Sequence, residues 1–195
     1  GRTRGATAAG SAWAGGVGEN SVLIINPNDA NSIWLGNYYK NARQIPDSNI
    51  IYLTPGATNY QQFAQVNIPA VLGEIESRGL TSMVHFVLIA PTDQFFVSAP
   101  DLVSDGCFPV RRFSLTGAYT SAFITSEILA GASFSSLPNR FYGTSNSAVA
   151  FDSQTAWFGG SASSDSTARR YMLGGQIGFT GYQGNTPQQI IDMID

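Results

Sequence analysis

Ser21-Val22-Leu23-Ile24-Ile25-Asn26, running into Pro27-Asn28-Asp29-Ala30-Asn31-Ser32, is the stretch on which the fold turns. The apolar run is too short for a buried helix and is bounded by turn formers, the pattern of a strand covered on both faces. The segment after it ends in residues suited to cap a helix. Ile33, Leu35, Tyr38, Tyr39 and Ala42 then recur at helical spacing, and Ile45-Pro46-Asp47 stops that helix. Asn49-Ile50-Ile51-Tyr52-Leu53 reads as a second strand. Residues 67–78 read as a second helix, with Pro69 in its first turn and Gly79 as its stop. Ser82-Met83-Val84-His85-Phe86-Val87-Leu88-Ile89 reads as a third strand. Strands alternating with helices predict an α/β fold: a mostly parallel, doubly wound sheet of about four to six strands, flanked by helices and joined by right-handed crossovers.

Past the third strand the periodicity loosens. Pro91, Pro100 and Pro109 punctuate a long loop from residue 90 to about residue 117. Residues 118–129 read as a helix ended by Gly131. Residues 131–168 are rich in Ser, Gly and Asn, with apolar islands at Ala148-Val149-Ala150-Phe151 and Trp157-Phe158. Residues 170–177 supply a fourth strand, and Asn185-Thr186-Pro187 opens the last helix with Thr186 as N-cap and Pro187 at its first position. The predicted organisation is a Gly/Ala-rich arm over residues 1–20 and one α/β domain over residues 21–195 with a long loop-rich insertion. The first residues lack both Met and an apolar signal core. Ile190, Ile191 and Ile194 lie on a helix that meets no C-cap. Together these predict the N-terminal part of a longer precursor.

Composition narrows the function classes. Of 195 residues, 43% are hydrophobic and only 12% charged, so the surface relies on uncharged polar side chains and repels neighbours weakly. The net charge of −3 and the lack of a basic stripe argue against nucleic acid. Arg111-Arg112 and Arg169-Arg170 read as solvated or ion-paired doublets. Cys107 is the lone cysteine, so no internal disulfide forms, and a single His beside it does not make a structural zinc site. No apolar run is long enough to span a membrane as a helix.

Residues with chemical potential are few. His85 is the one histidine, read as lying inside the third strand, where a hydrogen bond satisfies it. Cys107 sits in a loop with no second histidine to activate it, and reads as a small apolar side chain. No catalytic residue and no cofactor-binding residue is assigned. The carboxyl ends of the strands carry Asn26, Asn28 and Asp29, then Thr92 and Asp93, then Thr180 and Asn185, where an open sheet gathers ligands. Asp29, Asp93, Asp101 and Asp105 are weak metal candidates, oxygen ligands of the kind that hold Ca²⁺ or Mg²⁺. They fall in no spaced motif, and turn formation is their other reading. Gly174-Gly175-Gln176-Ile177-Gly178 and Gly181-Tyr182-Gln183-Gly184 read as tight turns, not nucleotide loops. Aromatics between residues 95 and 113, and between 134 and 158, either build a second small core or dock on a partner.

Several blocks carry a resemblance. These are Val22-Leu23-Ile24-Ile25-Asn26; Ser32-Ile33 with Tyr38-Tyr39; Arg43, Ile45-Pro46 and Asn49-Ile50; Gly106-Cys107-Phe108-Pro109-Val110-Arg111; Ser126-Glu127-Ile128-Leu129; and Gly178-Phe179-Thr180-Gly181 with Gly184-Asn185-Thr186. From about residue 20 onward the chain resembles an uncharacterised secreted bacterial family found in genomes with exosortase-type sorting, planctomycetes among them. Two departures stand out: an extra residue in the Gly-x-Pro-x-Arg turn, and Thr125 where the family commonly has Asp. The resemblance implies export and a cell-surface or extracellular role, and implies no activity. More distantly the layout is similar to the caspase and gingipain type of α/β domain, whose His and Cys positions are here Pro91-Thr92-Asp93 and Gly178-Phe179-Thr180. Peptidase activity is therefore carried over to no residue.

Three functional expectations follow. The first is a non-catalytic extracellular or cell-surface structural component that assembles with other protein chains. The second is a secreted hydrolase whose catalytic residues lie outside this chain. The third is an extracellular metal- or glycan-binding module.

Overall fold

A computed structural model describes residues 18–102, 110–131, 140–141 and 153–195. Cys107, Asp105 and the island at residues 148–151 lie outside the described residues, as does residues 1–17 of the expected arm.

Strand β1 (Ser21–Ile25) is the centre of the molecule: Val22, Leu23, Ile24 and Ile25 are all fully buried. Four such side chains contribute roughly 1.5–3 kcal/mol each when removed from water. β1 pairs in parallel with β2 (Ile50–Tyr52) on one side and with β3 (Phe86–Ile89) on the other. β3 pairs in parallel with β8 (Leu173–Gln176), giving a four-stranded sheet in the order β2-β1-β3-β8. The α/β, parallel-sheet architecture read from the sequence is the one observed.

Alternation along β1 separates the two faces. Val22 and Ile24 join a core with Phe63, Val71, Val87, Leu115 and Tyr119. Leu23 and Ile25 join Ile45, Ile50 and Ala90 on the other face, near Leu35, Ile190 and Ile194. The second face is covered by α1 (Ala30–Ala42) and α6 (Pro187–Ile194), which pack on each other. The first is covered by α2 (Tyr60–Gln62), α3 (Ile68–Ser77), α4 (Leu115–Thr120) and α5 (Thr125–Leu129). The chain leaves β1 in one direction for β2 and returns past it to β3. Crossovers of one hand then place α1 and α3 on opposite faces, as they are found.

Several elements differ from the sequence reading. The second helix begins at Tyr60, not near residue 67, because Asn59 Oδ1 caps it by accepting the Gln62 N–H at 2.9 Å. A π turn, Phe63–Asn67, joins α2 to α3, with the Ile68 N–H bonded to Phe63 O. The wider turn accommodates Pro69, which has no N–H to give. β3 begins at Phe86, and residues 81–83 form a turn before it. The long loop holds an antiparallel hairpin, β4 (Phe96–Leu102) with β5 (Val110–Ser114), whose register shifts between Ser98 and Leu102 around Pro100. The helix read at 118–129 is instead α4, a 3-10 turn at Ala122–Ile124, and α5. Ser121 turns its hydroxyl back to Ala118 O at 3.0 Å at the break. A small hairpin, β6 (Trp157–Phe158) with β7 (Ser161–Ala162), turns on Gly159 and Gly160, whose φ values of 57° and 79° favour glycine.

The folded domain also reaches back to residue 18. Gly18–Asn20 form a 3-10 turn, Asn20 O accepts the His85 N–H at 2.8 Å, and Asn49 Nδ2 donates to Glu19 O at 2.9 Å.

Candidate functional site

The strand order reverses direction between β1 and β3, and the crevice beyond their carboxyl ends is where a doubly wound sheet receives ligands. In this chain most polar side chains there serve the backbone. The Asn26 N–H donates to Ser32 Oγ at 3.0 Å, and Asn26 Oδ1 accepts the Asn28 N–H at 3.1 Å. Asp29 is the N-cap of α1, its Oδ1 accepting from Asn31 N at 2.9 Å and Ser32 N at 3.2 Å. Asn28 Nδ2 reaches Thr54 Oγ1 at 3.4 Å and links this edge to the end of β2. Thr92 is buried. Its carbonyl accepts the Thr180 N–H at 2.9 Å, and its hydroxyl faces Asp93 Oδ1 at 3.4 Å.

The side chains turned outward at this edge are largely rings. Phe95 is 42% exposed and stacks edge-on against Phe96 (4.9 Å between centroids) and Phe179 (4.6 Å). Arg112 lies over the Phe96 ring at 4.6 Å. The turn Gly181-Tyr182-Gln183-Gly184 folds back over Phe179, with Gly184 N bonded to Gly181 O and Asn185 N to Phe179 O, both at 2.7 Å. A Cβ on Gly181 would lie 2.4 Å from the Phe179 ring, so only glycine fits. This turn holds Tyr182 91% exposed. Trp34 on α1 and Tyr52 at the end of β2 are exposed as well. Phe179, Tyr182 and Trp34 were not among the aromatics singled out from the sequence. The signal for Tyr182 was there: a ring inside a four-residue turn closed by glycine at both ends.

Of the four metal candidates, Asp29 and Asp93 come to the same edge. Asp29 is engaged in capping, and Asp101 is on the β4 hairpin. Asp105 is outside the described residues, among which no three His, Cys, Asp or Glu side chains gather as metal ligands would.

His85 lies immediately before β3, not within a strand, and so at the amino edge, opposite the crevice. Its Nδ1 accepts the Ser153 N–H at 3.3 Å and stands 3.2 Å from Ser153 Oγ, whose hydroxyl donates to Val84 O. With Nδ1 assigned as acceptor, the neutral ring carries its proton on Nε2. Ser153 is buried, held by these bonds and by Gln154 Nε2 at 3.1 Å, and serves to fasten the segment after residue 152 to the sheet. Beside it Arg170 donates to Ser153 O at 2.9 Å and covers Phe123 at 4.8 Å. A cleft of about 280 Å³ lies here, lined by Leu72, Val84, Phe123, Ser153, Arg170 and Met172.

No family model, no curated protein and no solved structure matches this chain. At this edge Asp29 and Asn26 are engaged in capping and turns, Asp93 faces the Thr92 hydroxyl, and the exposed rings include Phe95 and Tyr182.

Proposed function

We propose that this chain is a non-catalytic structural component that assembles with other protein chains, acting at the cell surface or outside the cell. The observation that carries the reading is the carboxyl edge of the sheet. Where this fold class gathers reactive groups, Asp29 caps a helix while Phe95 and Tyr182 stand exposed. Exposed aromatic surface in a setting of low charge suits protein–protein contact, because rings bury much area at little ordering cost and few like charges oppose approach. The sequence supports this, with 12% charged residues. The extracellular setting rests on the family resemblance of the sequence alone.

Light scattering from micromolar to millimolar concentration tests the reading. A mass rising above the 20.8 kDa of one chain is expected, falling back in a Phe95→Ser, Tyr182→Ser variant. A particle that stays at the mass of one chain throughout would overturn it.

A further inference from the structure

We propose that the cleft beside Ser153 binds a free α-amino acid with an apolar side chain, of which leucine is the type. The cleft lies at the amino edge of the sheet, opposite the aromatic surface, and the proposal is independent of the assembly reading. Its floor is apolar. Ile75 of α3, Val84 before β3 and Met172 before β8 are buried there, and Leu72 and Phe123 form half-buried walls packed on the larger core. The volume is about 280 Å³, just under the roughly 300–1,000 Å³ of ordinary small-molecule sites, which limits the occupant to a small body.

The polar lining divides into groups already engaged and groups left over. Ser153 and Gln154 are engaged. Ser153 Oγ donates to Val84 O and accepts from Gln154 Nε2. Ser153 O accepts from Arg170 Nε at 2.9 Å, and Gln154 Oε1 from Arg170 Nη2 at 3.1 Å. The Phe123 ring lies against the same guanidinium at 4.8 Å. These contacts hold Arg170 in place, and each is to a neutral group. Among the described residues no carboxylate pairs with Arg170, and its Nη1 bonds to none of them. A fixed guanidinium with free N–H groups, set against an apolar cleft, is suited to a carboxylate, whose geometry its fork matches.

Glu76 and Thr81 complete the described lining, both exposed and so at the mouth. The Glu76 carboxylate pairs neither with Arg170 nor with any other described cation. The two charges of the cleft are thus opposite in sign and stand too far apart to satisfy each other. A ligand that answers both and fills the floor carries a carboxylate, an ammonium and an apolar side chain on one small frame, which describes an apolar amino acid. An uncharged ligand leaves Arg170 unanswered, and a simple apolar carboxylate leaves Glu76 so.

The test titrates leucine into the chain at a concentration where light scattering shows one mass. Amide resonances of Ser153, Gln154 and Met172 are expected to shift and to saturate at millimolar leucine. Leucinamide, which lacks the carboxylate, should bind about tenfold more weakly or worse. N-acetylleucine, which lacks the ammonium, should lose only about two- to fivefold, because Glu76 is exposed and its attraction is screened. Glu76→Gln alters an exposed side chain with no ion pair, and should bring leucine down to the affinity of N-acetylleucine without weakening N-acetylleucine itself. Arg170→Gln should erase the preference for leucine over leucinamide; if that variant does not fold, the two ligands compared on the unaltered chain decide the matter. Equal binding of leucine and leucinamide would overturn the proposal. So would shifts confined to Phe95 and Tyr182, no shift at millimolar leucine, or an unchanged leucine affinity in Glu76→Gln.

Discussion

Tyr60 and Tyr119 sit in the same core, their side chains equally buried, yet their hydroxyls differ in kind. Tyr119 donates to Pro55 O at 2.7 Å, tying α4 to the loop after β2. The Tyr60 hydroxyl lies toward Ser121 but has no hydrogen-bond partner within reach. The expected outcome is a contrast. Tyr119→Phe strands a buried carbonyl and should cost about 1–2 kcal/mol in urea unfolding, whereas Tyr60→Phe should be neutral or slightly stabilising. Equal losses in the two variants would contradict the assignment. The same distinction governs the residues whose chemistry drew attention in the sequence. Asp29 and His85 are types that catalyse and bind metals, but the sequence shows only the type. Whether the polar atoms are consumed is decided by Asn31, Ser32 and Ser153, of which the last is 68 residues from the histidine it holds.

At the scale of elements, α4 lies so close on β8 that a Cβ at Gly174 would stand 2.3 Å from Thr116 O, a backbone atom that cannot turn aside. Gly174→Ala should push the helix off the strand at a cost of about 1–3 kcal/mol. Gly73→Ala, in α3 with open space around it, should instead stabilise by about 0.5–1 kcal/mol. Thermal melts of the two variants should move in opposite directions; shifts of the same sign would refute the close α4–β8 contact. The elements legible in the sequence were those whose signals are local. β1 is an unbroken apolar run. α6 announces itself with Thr186 and with Pro187 at its first position, and Thr186 forms a full capping box with Gln189. α3 stops at Gly79, with the Leu80 N–H on Ile75 O and the Gly79 N–H on Glu76 O. The helix stop at α1 uses the same bonds, but with Gln44 at φ 53° in the place where glycine is usual, so proline alone marked it. The elements missed depend on distant partners. The β4–β5 hairpin pairs residues across Pro100, and the π turn before Pro69 belongs to a helix whose cap lies ten residues upstream, at Asn59. Of the candidate site, the carboxyl-edge location was legible from strand order. Its aromatic character was not, because exposure of Phe95 and Tyr182 is set by the turn that folds over Phe179.

For the whole molecule, the larger core holds two tyrosines that resist ionisation, and this ties global stability to alkaline pH. Burial pushes Tyr60 up to about 12, and burial pushes Tyr119 higher still. Both lie above the value of 10.0 that a tyrosine has when exposed on unfolding. Below pH 10 both states keep their protons and the stability is fully present. Above it the unfolded chain releases protons that the native core retains, so stability falls as pH climbs toward the native values. With two groups retained, the fall is of the order of 2.7 kcal/mol per pH unit between about pH 10 and 12. Set against a total of roughly 5–15 kcal/mol for an ordinary domain, a loss of about 5 kcal/mol by pH 12 removes a third or more of the stability. Urea midpoints at several pH values should therefore decline steeply above pH 10, with tyrosinate absorbance rising cooperatively at the unfolding transition. A chain with Tyr60→Phe and Tyr119→Phe together should show a shallower decline whatever its stability at neutral pH. An unchanged slope in that double variant would mean the alkaline loss originates elsewhere, and that the two hydroxyls are not shielded as the packing of Phe63 and Phe113 on Tyr60, and of Phe63 on Tyr119, requires.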